Sequence, residues 1–156
     1  MTHISFAQNS NRQAVIDNIR KEYMDNSKTD LLKDSIALYT FAIQIAVKKV
    51  KDSSIVTSIV VNDSIANTIL PDHNFLRKIN YAVFMSKVKR ATIVIPFGFI
   101  VAHYHAKTWP ERKITIDDLG SKIYKLFNYD LQKDTPTESF IYLSPFVTYA
   151  DKSVYD

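Results

Sequence analysis

The chain has no cysteine and only two glycines, and each scarcity excludes whole classes of protein. Without cysteine there is no disulfide framework, no thiolate zinc site and no cysteine nucleophile. With Gly98 and Gly120 alone, the chain holds no Gly-rich phosphate loop of the G-x-G-x-x-G or G-x-x-x-x-G-K type. Sandwiches and barrels with many tight turns need residues that tolerate positive φ, and glycine is the main one. The composition therefore favours an α-rich fold.

Long hydrophobic runs are missing as well. A transmembrane helix needs about 20 consecutive apolar residues, and the best candidate, residues 91–102, is shorter. Residues 1–13 have neither the basic nor the apolar segment of a signal peptide. We therefore expect no membrane association and an intracellular location, cytoplasmic or nuclear.

The 156 residues that are present have the composition of one globular domain, with 46% hydrophobic and 23% charged residues. The net charge is +4, from 20 Lys+Arg against 16 Asp+Glu. A solvated surface is the default interpretation of the basic residues, and a face for nucleic acid or an acidic partner is the alternative. They form four groups: Lys48, Lys49 and Lys51; Lys87, Lys89 and Arg90; Arg112 and Lys113; Lys122 and Lys125.

Hydrophobic periodicity predicts several helices. Val15, Ile19 and Tyr23 lie four residues apart and predict an amphipathic helix over 11–24. Residues 31–50 predict a longer helix that is apolar around most of its circumference, which is typical of a helix buried on most sides. Similar spacing predicts further helices over 75–88 and around 119–127. Residues 52–73 mix β-branched and turn-forming residues and are interpreted as a connector with one short ordered piece, ending at Pro71.

The most hydrophobic stretch, residues 86–109, supports two interpretations. Thr92 to Ile95 are β-branched and are followed at once by Pro96-Phe97-Gly98, which indicates a hairpin over 91–105. The same stretch begins at a plausible helix cap, Ser86, and has the length of a long buried helix. The residues alone leave both interpretations open.

Few residues suggest catalysis. His103 and His105 share a face only on a strand, and no third metal ligand lies at an obvious spacing. Asp117 and Asp118 suit the first turn of a helix, where carboxylates stabilise the positive end of the dipole. No serine has a G-x-S-x-G setting. We therefore predict no catalytic, cofactor-binding or metal-binding residue and no enzymatic activity.

Three segments resemble parts of a cyclin box, most of all that of the fungal phosphate-signalling cyclins. Residues 27–50 are similar to the helix that precedes the box. Residues 74–110 resemble box helices 1 and 2, with Ser86 as the cap of the second helix. Residues 119–140 look like the end of the box, and too little chain precedes them for a complete set of five helices.

The resemblance implies an all-α helical bundle, cyclin-like and truncated or diverged, in which residues 86–109 form a helix kinked near Pro96. The alternative is an α+β fold with a hairpin at 91–105. On the first interpretation residues 1–10 are a loose N-terminus, residues 11–145 a single helical domain and residues 146–156 a C-terminal tail.

The function implied by the resemblance is regulatory. A cyclin-like module would bind a protein kinase, such as a cyclin-dependent kinase, or another protein partner. The kinase contacts implied by the resemblance are Arg77 and Lys78 on the first box helix and Lys122, which matches a lysine of the third. The alternative, drawn from the charge, is a small basic nucleic-acid-binding protein of viral or mobile-element type.

Overall fold

The fold is a five-stranded sheet with a long N-terminal helix packed on one face. The structure is a computed structural model that describes residues 3–32, 37–102, 122 and 139–151. The helices and strands are α1 (His3–Asn26), β1 (Ala37–Val50), β2 (Ser53–Val61), α2 (Ile65–Ile69), β3 (Arg90–Ala102), β4 (Ser139–Tyr142) and β5 (Phe146–Asp151). Three short 3₁₀ helices cover Thr29–Leu31, Asn74–Lys78 and Tyr81–Phe84.

Strand β1 lies at the centre of the antiparallel part of the sheet. It pairs with β3 in an unbroken register from Ala37↔Val101 to Lys48↔Arg90. On its other side it pairs with β2, and a turn at Lys51-Asp52 connects the two strands. Strands β4 and β5 both run parallel to β3, the first beside its beginning and the second beside its end.

The core lies between the sheet and α1, on what we call the inner face. Odd-numbered residues of β1 and β3 point to this face, because side chains alternate along a strand. Phe41 and Phe97 are fully buried there. Tyr23 of α1 stacks on Phe97 with ring centroids 4.2 Å apart, and Phe146 meets the same ring edge-on at 5.3 Å. We call the opposite side of the sheet the outer face.

The prediction of an all-α bundle is wrong, because residues predicted as helices form the two central strands. Residues 37–50, inside the predicted helix 31–50, are β1. A strand buried on both faces reads as a continuous apolar run, and such a run cannot be distinguished by periodicity from a buried helix. The helix predicted over 75–88 is also replaced, by the two 3₁₀ helices Asn74–Lys78 and Tyr81–Phe84.

Residues 91–102 form neither the kinked helix nor a hairpin, but one strand that passes straight through Pro96. The α+β class of the alternative prediction is correct, but the hairpin that it placed at 91–105 is wrong, because one strand continues through Pro96. Ala42 is the partner of Pro96, and its own amide donates to Asn62 Oδ1 at 2.6 Å, on the side away from β3. The missing N–H of Pro96 therefore costs β1 no hydrogen bond. On the other side, Pro96 falls between the segment of β3 that pairs with β4 and the segment that pairs with β5.

One predicted helix is confirmed. The helix predicted over 11–24 lies inside α1, and Ile19 and Tyr23 are buried as the stripe predicted. Strand β5 lies within residues 146–156, the segment described above as a C-terminal tail. Several predicted features lie outside the described residues. These are the helix around 119–127, of which only Lys122 is described, and His103, His105, Asp117 and Asp118.

The buried hydroxyl of Tyr23 gives a test of the core. Tyr23 Oη has no hydrogen-bond partner among the described residues, and burial raises the pKa of this phenol above its usual value of 10.0. Tyr23→Phe should stabilise the protein by about 1 kcal/mol at neutral pH, because it removes a buried polar group without a partner. The gain should increase above pH ~10, where the unfolded tyrosine ionises and the folded one does not.

Urea unfolding at neutral and alkaline pH measures both effects. Tyr81→Phe is the matched control, since Tyr81 Oη is also buried but donates to Leu76 O at 3.1 Å. That variant should lose about 1 kcal/mol at neutral pH. A loss of similar size for Tyr23→Phe would contradict the packing described here.

Candidate nucleic-acid interface

Two basic segments that are distant in sequence meet at one end of the sheet. Lys48, near the end of β1, is the cross-strand partner of Arg90, the first residue of β3. The amide of Lys49 donates to Lys89 O at 2.9 Å, which joins the two backbones one step further along. We call this region the basic end; it comprises Lys48, Lys49, Lys51, Lys87, Lys89 and Arg90.

The side chains of the basic end are available to a ligand. All are exposed except that of Lys49, which is half-buried and donates from its ammonium to Met85 O at 3.0 Å. Asp52 is the single acidic residue within the segments 48–52 and 86–90. The region therefore carries a concentrated positive charge in a protein whose net charge is only +4.

Two features of the basic end disfavour folding. Lys48 and Arg90 place like charges directly opposite each other, an arrangement that destabilises a pair of strands. Lys51 has a φ of 55°, in the left-handed region, and it is the one non-glycine residue with positive φ in the described part of the chain. Such a conformation costs a lysine roughly 1–2 kcal/mol. Sequences under selection for stability alone would place glycine or asparagine at Lys51 and an acid opposite Arg90.

The residues implied as kinase contacts lie elsewhere. Arg77 and Lys78 are exposed in the 3₁₀ helix Asn74–Lys78. Two residues further on, the side chain of Asn80 donates to Asp52 O at 3.0 Å, so this helix leads directly to the turn of the basic end. Arg77 also lines a pocket of about 230 Å³ together with His73. Desolvation lowers the pKa of His73, against the opposing effect of the Asp72 carboxylate.

Lys122 belongs to a different pocket, of about 420 Å³, beside the first half of β1. Its carbonyl accepts a hydrogen bond of 2.7 Å from Thr40 Oγ1, and its ammonium lies 5.6 Å from the centre of the Tyr39 ring. Asp63 lines the same pocket. The structure thus places Arg77 beside Ile59 and Val61 of β2. Lys122 lies in a pocket that contains neither Arg77 nor Lys78.

The chemistry available at the basic end is that of binding. Ammonium and guanidinium groups hold anions such as phosphate through charge-assisted hydrogen bonds. Within the described ranges, no group of three His, Asp or Glu side chains could hold a metal ion. No helix among them is long and apolar enough to cross a membrane.

No protein-family model, characterised protein or solved structure matches this chain. The cyclin resemblance and the kinase partner therefore stay predictions. The helices from which they were argued over 37–50 and 90–102 are the strands β1 and β3.

The sequence analysis identified both basic segments of the basic end, but it did not predict that they lie next to each other. Lys48, Lys49 and Lys51 formed one predicted group and Lys87, Lys89 and Arg90 another. The sequence would have indicated that the two groups meet only if the apolar runs next to them, before Lys48 and after Arg90, had both been predicted as strands. In an antiparallel pair, the end of the first strand lies beside the beginning of the second.

The pair of like charges gives a stability test. Lys48→Glu should place a carboxylate opposite Arg90 and raise the free energy of unfolding by about 0.2–1 kcal/mol. The gain should shrink as salt is added, because both groups are exposed. Urea unfolding at low and high salt measures it.

Lys21→Glu is the matched control, since it makes the same change of net charge on the exposed side of α1. Asp17 and Asp25 lie four residues away on either side, so this substitution should not stabilise the protein. If Lys48→Glu gave no gain over this control, Lys48 and Arg90 would not be cross-strand neighbours.

Proposed function

We propose that this protein is a non-enzymatic nucleic-acid-binding protein that contacts phosphate groups with the basic end of its sheet. The observation that carries the proposal is the β1–β3 register, which sets Lys48 opposite Arg90 and gathers two basic segments into one surface. A cytoplasmic or nuclear location belongs to the same proposal.

The spread of the charges favours a polyanion over a small anion. The exposed cations are spread out: Lys48 and Arg90 lie side by side on strands about 4.8 Å apart, and Lys51 lies beyond them in the turn that follows β1. Cations distributed over such a strip face several phosphates at once, as along a nucleic-acid backbone. A site for one phosphate would instead converge its donors on one point.

The two features that disfavour folding support the same proposal. A lysine in the left-handed region and a lysine opposite an arginine each cost stability, and both occur at one end of one sheet. Backbone strain and like-charge pairs commonly mark places where function opposes stability. Binding of phosphate offsets the repulsion, because the anion lies between the cations.

The first experiment measures binding of fluorescently labelled DNA and RNA across a range of salt concentrations. The logarithm of the association constant should fall linearly with the logarithm of salt concentration, with a slope of about 0.7–0.9 per phosphate contacted. Lys48→Glu combined with Arg90→Glu should weaken binding at low salt and reduce the slope, whereas Lys21→Glu should change neither appreciably. Absence of binding at low salt, or equal effects of the two sets of substitutions, would refute the proposal.

Substitution of Lys51 separates function from stability. Lys51→Gly should leave the free energy of unfolding unchanged or raise it by up to about 1 kcal/mol, because glycine adopts positive φ without strain but loses more chain entropy on folding. The same variant should bind nucleic acid more weakly. Lys51→Asn is the matched control for glycine's flexibility, since asparagine also tolerates this conformation and is uncharged. Full affinity in both variants would show that Lys51 is only a turn residue.

A further inference from the structure

A pocket of about 230 Å³ lies at the end of β2 that is farthest from the basic end, and we call it the β2 pocket. Val61, the last residue of β2, is eight residues beyond Ser53, the first. About 26 Å of extended chain therefore separate the pocket from the turn at the basic end. A small ligand cannot contact both places. The residues that line the pocket are Ile59, Val61, Asn67, His73, Asn74 and Arg77.

The apolar side of the β2 pocket belongs to the sheet. Ile59 pairs with Ile45 and Val61 pairs with Ile43, and both partners are fully buried on the inner face. Ile59 and Val61 point to the same face, because cross-strand partners lie on one side of a sheet. Unlike their partners, they are only half-buried and they line the pocket. The pocket thus offers hydrocarbon surface, which an apolar group of a ligand would remove from water.

Three polar side chains of the pocket have no partner in the part of the chain that the structure describes. Asn67, Asn74 and Arg77 are exposed, and their side chains form no hydrogen bond or ion pair with a described residue. The hydrogen bonds at Asn67 and Asn74 are made by the backbone amides, which donate to Ser64 O and Asp72 Oδ1. The guanidinium N–H groups and two side-chain amides are therefore available to a ligand.

Arg77 supplies the only charge near neutral pH among the described residues that line the pocket. His73 also lines it, and the pKa of its imidazole is lowered because burial disfavours the charged form. The Asp72 carboxylate opposes this effect without overcoming it, and it accepts the Asn74 amide at 2.8 Å. The imidazole is therefore neutral near pH 7. A pocket with one positive charge suits a ligand with one negative charge.

We infer that the β2 pocket binds a small monocarboxylate, with its carboxylate on Arg77 and its hydrocarbon part on Ile59 and Val61. A guanidinium group holds a carboxylate through two parallel hydrogen bonds, a geometry that suits a planar anion with two oxygens. The side-chain amides of Asn67 and Asn74 donate to the same oxygens. This site is separate from the basic end, so the inference goes beyond the proposed function and does not depend on it.

The size of the pocket and its apolar side define the ligand further. Pockets for drug-sized ligands begin at about 300 Å³, so a volume of about 230 Å³ suits a smaller molecule. An inorganic anion such as phosphate would place polar oxygens against Ile59 and Val61, where they find no hydrogen-bond donor. An uncharged hydrocarbon would leave Arg77 without an anion. A carboxylic acid with a short hydrocarbon chain satisfies both sides of the pocket.

The experiment titrates the isotope-labelled chain with hexanoate, acetate and 1-hexanol at constant ionic strength. Hexanoate carries both a charge and a hydrocarbon chain, acetate carries the charge with a single methyl group, and 1-hexanol carries the chain without the charge. The side-chain amide signals of Asn67 and Asn74 report binding in the pocket. The proteins are the wild type, Arg77→Gln and Lys78→Gln. Lys78 is the matched control, because it is exposed, adjacent in sequence and absent from the lining of the pocket.

Hexanoate should bind the wild type at least about tenfold more tightly than acetate, because part of its chain is removed from water against Ile59 and Val61. It should also bind at least about tenfold more tightly than 1-hexanol, which forms no ion pair with Arg77. Arg77→Gln should abolish the preference for hexanoate over 1-hexanol. Lys78→Gln should keep the wild-type affinity for all three ligands.

Several results would overturn the inference. Equal affinity of the wild type for hexanoate and either other ligand would show that the two sides of the pocket do not act together. Equal losses in Arg77→Gln and Lys78→Gln would show attraction by surface charge in general. Failure of hexanoate to bind, or shifts in 48–51 and 87–90 instead of at Asn67 and Asn74, would exclude the pocket as the site. None of these results would refute binding of nucleic acid at the basic end.

Discussion

The register between β1 and β3 determines the rest of the structure. Because Ala37 to Lys48 pair residue by residue with Val101 to Arg90, the odd-numbered side chains of both strands point to α1 and form the core. The same register leaves the even-numbered side chains on the outer face, and it ends with Lys48 beside Arg90. A shift by one residue would exchange the two faces, exposing Phe41 and Phe97 and burying Lys48. The large apolar area buried against α1 therefore fixes where the charges lie, since burial of each such side chain contributes about 1.5–3 kcal/mol.

Stability and binding make opposite demands on one end of this sheet. The core holds the strands in place with energies that exceed the repulsion between two exposed cations by a wide margin. The chain can therefore keep Lys48 opposite Arg90 and keep Lys51 in a strained turn without unfolding. These residues have a physical explanation if a polyanion binds them.

The sequence predicted those parts of the structure in which local pattern and tertiary environment agree. Ile19 and Tyr23 lie four apart on a helix with a polar back, and α1 follows that pattern. The pattern failed at β1, where Phe41 to Val47 are apolar except for Gln44, because both faces of the strand are covered over much of its length. It also failed at Pro96, because a strand tolerates proline where neither neighbour needs its amide, and only the pairing reveals such a position. The two lysine-rich groups were visible in the sequence, but their convergence depends on a contact between residues about 40 positions apart, which no local pattern reports.

The most direct test of the account is a titration of isotope-labelled protein with single-stranded oligothymidylate, followed by amide chemical shifts. We expect the shifts to change in two segments at once: 48–51 and 87–90. Residues 11–24 of α1 should be unaffected, because they cover the inner face. Changes confined to one basic segment, or centred on Lys122 and the pocket beside Thr40, would contradict the claim that the β1–β3 register builds the binding surface.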